Sequence, residues 1–127
     1  MHYLDTSALV KLVFEERESS ALEAFLGEER VAVSALSRTE LRRVALRVSP
    51  EQLQECDQLL RSCYEVTLTP GVLDEAGLIE PPTLRSLDAI HLACARAIEP
   101  ELSSFVAYDD RLIDAATSSG LEVIVPR

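Results

Sequence analysis

The chain has 127 residues, 47 % of them hydrophobic and 27 % charged; that is apolar material for one sizeable core and excludes a disordered or low-complexity chain. A net charge of −10 argues against loose, charge-driven binding to nucleic acid, and no run of more than four consecutive apolar residues offers a bilayer span. Cys56, Cys63 and Cys94 lack CxxC spacing and read as small buried apolar residues, not as a disulfide frame or zinc cage. No basic-then-apolar leader opens the chain, so a single cytoplasmic domain over 1–127 is expected.

In chain order, Tyr3-Leu4 reads as a short strand ending at Asp5. Thr6 or Ser7 is expected to cap a helix carrying Leu9, Val10, Leu12, Val13 and Phe14. A second helix runs from about Glu18 to Leu26 and stops at Gly27. Val31–Val33 is a strand, followed by a helix over about 36–48 that places Leu36, Glu40, Val44 and Val48 on one face. Ser49-Pro50-Glu51-Gln52 has the pattern of a capping box opening a helix to about Ser62. Tyr64–Leu68 is a strand; Pro70 opens a helix through Val72, Leu73, Ala76 and Leu78; Pro81-Pro82 breaks the chain. The helix from Leu87 to Ile98 is apolar nearly all round and therefore expected to be buried. Phe105–Tyr108 is a strand ending at Asp109, a helix spans Arg111–Ser119, and Val123–Val125 is the last strand. This alternation predicts an α/β fold with a central, mostly parallel five-stranded sheet flanked by helices on both faces.

In such sheets the ligand crevice lies beyond the carboxyl ends of the strands. Asp5 and Asp109 fall there. Glu40 and Asp88 fall on apolar helices, where acids are costly. Each alone has an ordinary use as a helix cap, a first-turn carboxylate or a solvated helix edge. If the four converge, they need a counter-charge, because close carboxylates raise one another's pKa values. A hard divalent cation such as Mg²⁺ or Mn²⁺ takes oxygen ligands and pairs with substrate phosphate. Removing the charge of Asp5 or Asp109 is then expected to raise the melting temperature of the metal-free protein.

At these residues the sequence resembles the PIN-domain ribonucleases, in particular the VapC-type toxins of toxin–antitoxin pairs. The matching segments are Tyr3-Leu4-Asp5-Thr6-Ser7-Ala8-Leu9, Arg38-Thr39-Glu40-Leu41, Leu87-Asp88-Ala89-Ile90-His91-Leu92-Ala93 and Phe105-Val106-Ala107-Tyr108-Asp109. The resemblance implies a PIN-like fold and a Mg²⁺- or Mn²⁺-dependent endoribonuclease. Its acidic positions map onto Asp5, Glu40, Asp88 and Asp109, with Asp5, Asp88 and Asp109 as direct ligands. Glu40 would ligate through water or orient the attacking water. Thr6 or Ser7 would supply a hydroxyl. The chemistry expected is in-line displacement at phosphorus by activated water, leaving 5′-phosphate and 3′-hydroxyl ends. The family also implies an RNA substrate, a small antitoxin partner and a homodimer. Ala107 stands where the family often has threonine or serine, which removes one hydrogen bond from the site. Asp110 is an accessory candidate, and Asp114 reads as a helix-surface charge.

His91, one turn after Asp88, reads as a packed core histidine or a neighbour of the site, and is kept out of the catalytic set. Arg38, Arg42, Arg43 and Arg85 could meet RNA phosphates or surface acids. Lys11 is expected to be solvated. The rival from another class is a phosphoacceptor signalling domain of receiver type. It needs a lysine at a strand end, and Lys11 is the only lysine. A catalytically silent PIN-like binding module is the other alternative.

Overall fold

The computed structural model describes residues 1–127. Five strands form one sheet: β1 (His2–Leu4), β2 (Val31–Ser34), β3 (Tyr64–Val66), β4 (Ser104–Val106) and β5 (Val123–Ile124). Their spatial order is β3-β2-β1-β4-β5, and every pairing is parallel. Seven α-helices connect and cover them: α1 (Thr6–Val13), α2 (Ser19–Leu26), α3 (Ser37–Val48), α4 (Leu53–Ser62), α5 (Pro70–Ala76), α6 (Ser86–Ala97) and α7 (Asp110–Ser118).

Alternation along each strand splits the core in two. Tyr3, Ala32 and Phe105 face one side, where α5, α6 and α7 bring Val72, Leu92, Ala93 and Leu112. Leu4, Val33 and Val106 face the other, with Leu9, Leu22, Leu41 and Cys56 from α1 to α4. Both faces are covered, so the short strands are apolar at nearly every position rather than alternating. Register stacks Tyr3 beside Phe105, with ring centroids 5.3 Å apart and planes 8° from parallel. The cysteines are unpaired, with Cys56 and Cys94 buried.

Local details depart from the sequence reading where through-space contacts outweigh local pattern. The cap of α1 is Asp5, in extended conformation, while Thr6 is already the first helical residue. The capping box at Ser49 does not form. Ser49 Oγ donates to the Glu51 carboxylate, and the Gln52 amide reaches across to the Val13 carbonyl at 2.9 Å. The chain there makes a 3₁₀ turn over Pro50–Gln52 before α4 begins. The buried stripe of α3 is Ser37, Leu41 and Ala45, one residue round from the predicted face, which turns Glu40 onto the flank of the helix. Leu87, at the start of α6, is exposed, so burial of that helix begins only at Ala89. Gly27 ends α2 at φ +52, a conformation that disfavours any side chain.

Candidate active site beyond the carboxyl edge

β1 runs directly into Asp5, whose side chain is spent locally in two ways. Oδ1 accepts the Ala8 amide at 3.0 Å and so caps α1, and the Ser7 hydroxyl donates to the carboxylate at 2.7 and 2.9 Å. Asp5 is only 5 % exposed. Burial raises its pKa above the usual aspartate value, and the charge of Asp88 adds to that; His91, Ser7 and the Ala8 amide oppose it without cancelling it.

β4 leads through Ala107 and Tyr108 to Asp109, which caps α7 by accepting the Leu112 amide at 3.1 Å. Ala107 is fully buried and has no hydroxyl to offer. The ordinary cap geometry of Asp5 and Asp109 also brings their carboxylates to the sheet's carboxyl edge, so the two readings of these acids coexist.

Asp88 lies in the first turn of α6, where the helix dipole favours an acid. Arg85, immediately before that helix, donates to Asp88 Oδ2 at 3.0 Å and lies 3.8 Å from Asp109 Oδ2. One guanidinium therefore spans an acid from α6 and an acid from the β4 edge. Asp109 is half-exposed and faces this cation, so it does not share the cost that burial imposes on Asp5. The expectation that removing either charge stabilises the metal-free protein narrows to Asp5.

Glu40 joins the group from α3. Its Oε1 accepts the Thr6 hydroxyl at 2.6 Å and His91 Nε2 at 2.7 Å. Thr6 in turn meets the buried Ser37 hydroxyl at 2.9 Å. Burial pushes the Glu40 carboxyl up, but the His91 and Thr6 hydrogen bonds, helped by the charges of His91 and Arg85, outweigh it and hold the group below the usual glutamate range.

The four predicted acids are thus linked through their neighbours. Thr6 follows Asp5 and holds Glu40, His91 holds Glu40 one turn after Asp88, and Arg85 joins Asp88 to Asp109. No three His, Cys, Asp or Glu side chains form a ready-made metal cage. The donor set is nevertheless all carboxylate and hydroxyl oxygen, which suits a hard divalent ion. Asp110 and Asp114 are exposed on α7. A surface cleft of about 810 Å³ lies between the Glu80–Leu84 segment and α7; Asp114 lines it, and Asp5, Glu40, Asp88 and Asp109 do not.

Arg85 and His91 are two neighbours of the acids that the sequence reading left outside the catalytic set. Their spacings of three residues to either side of Asp88 were the available signal. Arg38 pairs with Glu65 and Arg42 with Asp57, away from the acids. Lys11 is not solvated. It is 12 % exposed, pairs with Glu16 and Glu18, and sits 4.6 Å over the Tyr108 ring. It is held on α1, not at a strand end, and the sheet order differs from the 2-1-3-4-5 order of receiver-type folds, so the phosphoacceptor reading is not favoured.

An all-parallel β3-β2-β1-β4-β5 sheet with acids gathered past its carboxyl edge is the arrangement of the PIN class, and the PIN domain profile matches residues 2–117. The chain is 43 % identical to Ribonuclease VapC47 of Mycobacterium tuberculosis, over 99 % of this chain and 97 % of that protein. It is 41 % identical to Ribonuclease VapC46 of the same species, over 98 % of this chain and 96 % of that protein. A solved toxin–antitoxin complex from Klebsiella pneumoniae has the same fold, at TM-score 0.76 and 24 % identity, covering 100 % of this chain and 98 % of that one. The chain belongs to the PIN-domain family, in its VapC-type branch.

Proposed function

We propose that the chain is an endoribonuclease that hydrolyses RNA phosphodiester bonds with a divalent cation, Mg²⁺ or Mn²⁺, and is the toxin of a VapBC-type pair. The observation that carries this is the linked set of Asp5, Glu40, Asp88 and Asp109 in a chain of VapC-type descent. Asp5, Asp88 and Asp109 are the residues that would hold the cation. When bound, it supplies neutralisation of the charge that builds on the phosphoryl oxygens and acidifies the attacking water.

The chain's own residues do the rest. Ser7 and the Ala8 amide fix the Asp5 carboxylate against rotation. Glu40, kept ionised by Thr6 and His91, orients the attacking water and can take its proton. Arg85 balances the charges of Asp88 and Asp109, and its exposed guanidinium would also be placed to meet a substrate phosphate. Attack by water spares the RNA 2′-hydroxyl, so the products carry 5′-phosphate and 3′-hydroxyl ends.

A small antitoxin is the proposed protein partner, in keeping with the toxin–antitoxin complex from Klebsiella pneumoniae that shares the fold. Exposed Leu46 and Val48 at the end of α3 are available for a homodimer contact. No helix is long and apolar enough to cross a membrane, in keeping with action in the cytoplasm.

The test is cleavage of total RNA by the purified protein with Mg²⁺ or Mn²⁺, with chelator, and with Asp5→Asn. Cleavage is expected only in wild type with metal. Cleavage indifferent to chelator and to Asp5→Asn overturns the proposal.

A further inference from the structure

His91 is 2 % exposed, yet both ring nitrogens are engaged. Nδ1 lies 2.7 Å from the Tyr3 hydroxyl, and Nε2 lies 2.7 Å from Glu40 Oε1. Tyr3 is completely buried at the middle of β1, and its ring is clamped against Phe105. The Tyr3 hydroxyl therefore holds the ring from its Nδ1 side at a fixed place in the core. On the other side of the ring, an ionised carboxylate can only accept, so Nε2 carries a hydrogen and donates it to Glu40.

The count of lone pairs at Glu40 shows what this achieves. Oε1 receives two hydrogens, one from Thr6 Oγ1 and one from His91 Nε2, and two is its capacity. Thr6 has spent its single hydrogen on Glu40, so it accepts from Ser37. Every side-chain contact of Glu40 ends on Oε1, and Oε2 remains its free oxygen. The restraint comes from four elements, Tyr3 of β1, His91 of α6, Thr6 of α1 and Ser37 of α3, and its two ends, Tyr3 and Ser37, are fully buried.

We infer that His91 is a positioning residue: the relay from Tyr3 through His91 pins Glu40 Oε1 and presents Oε2 as the one oxygen left to address the attacking water. This rests on the nuclease reading above and adds to it the residue that sets the aim of Glu40. A histidine serving only to fill the core would be replaceable by an apolar residue of similar size at no cost to chemistry.

The experiment has two parts, both on the full chain. The first is ¹⁵N spectroscopy of the imidazoles in metal-free wild type, where His2 and His91 are the only histidines. A His91 ring carrying hydrogen on Nε2 is expected; a bare Nε2 overturns the inference. The second compares His91→Leu, His91→Gln and Tyr3→Phe with wild type in single-turnover cleavage of total RNA, enzyme in excess and Mn²⁺ saturating.

Misaiming a reacting group by about 1 Å costs on the order of 100-fold. His91→Leu is therefore expected to slow cleavage about 100-fold while Mn²⁺ affinity, measured by calorimetry, stays within about threefold. His91→Gln keeps an N–H donor at the Nε2 position and is expected to recover all but about tenfold. Tyr3→Phe, which removes only the hydroxyl, is expected to fall between the two. Full activity in His91→Leu, no rescue by glutamine, or a loss of Mn²⁺ affinity that accounts for the slower rate each overturns the inference and leaves the nuclease reading standing. Absence of any metal-dependent cleavage in wild type defeats the nuclease reading itself, and the positioning role with it.

Discussion

Replacing Thr6 by valine keeps the side chain's shape and β-branching but removes the hydroxyl that joins α1 to α3. In the folded protein that hydroxyl donates to an ionised carboxylate at 2.6 Å and accepts from a fully buried serine at 2.9 Å. A hydrogen bond to a charged partner contributes roughly 1.5–3 kcal/mol. The Glu40 side chain is 25 % exposed, so water can replace part of the loss and the lower end applies. Leaving Ser37 without a partner in the core adds about 1 kcal/mol. The total is about 2.5 kcal/mol, or a drop in melting temperature of roughly 9 °C for a chain of this length.

The loss should depend on pH. The folded Glu40 carboxyl is held below its ordinary value, so its ionised form stabilises the fold above the unfolded pKa. That contribution disappears as pH falls through the folded value. The gap between wild type and Thr6→Val should therefore be widest near neutrality and narrow toward about pH 3. Urea denaturation at both pH values measures it. A double-mutant cycle with Glu40→Gln at about pH 7 should show a coupling of about 1–2 kcal/mol. A gap of the same size at both pH values, together with additivity within about 0.5 kcal/mol, would refute the charge-assisted contact.

Asp5 works in the opposite direction. Its folded pKa is raised, so its ionised form costs stability near neutrality and that cost is relieved as pH falls. In chelator, Asp5→Asn should melt about 2–4 °C higher than wild type, because asparagine caps a helix about as well and carries no buried charge. Asp109→Asn should show no such rise, since Asp109 already faces Arg85; equal stabilisation by both, read from melting curves, would count against this distinction. Arg85→Gln withdraws a competing cation from Asp88 and Asp109, so Mn²⁺ should bind roughly two- to five-fold more tightly by calorimetry. Weaker binding in that variant would show that Arg85 supports the site instead of holding its place.

Much of this molecule is written locally. Short apolar runs at Tyr3-Leu4, Val31–Val33 and Phe105–Val106, separated by helical periods, suffice for an alternating α/β chain, because backbone periodicity and burial act over a few residues. Asp5 and Asp109 were legible as edge acids for the same reason: each follows its strand directly. Asp88 stood out because an acid in an apolar helix is costly. What the sequence could not specify depends on how one element docks on another. The order β3-β2-β1-β4-β5 arises from crossovers, and no local pattern encodes it. The rotation of α3 is set by Leu41 and Ala45 meeting α1 and α4, and that rotation alone decides that Glu40 reaches Thr6 and His91. The fates of Arg85, Lys11 and His91 were equally hidden, since a charged or polar side chain takes its partner from whatever folding brings within about 3 Å.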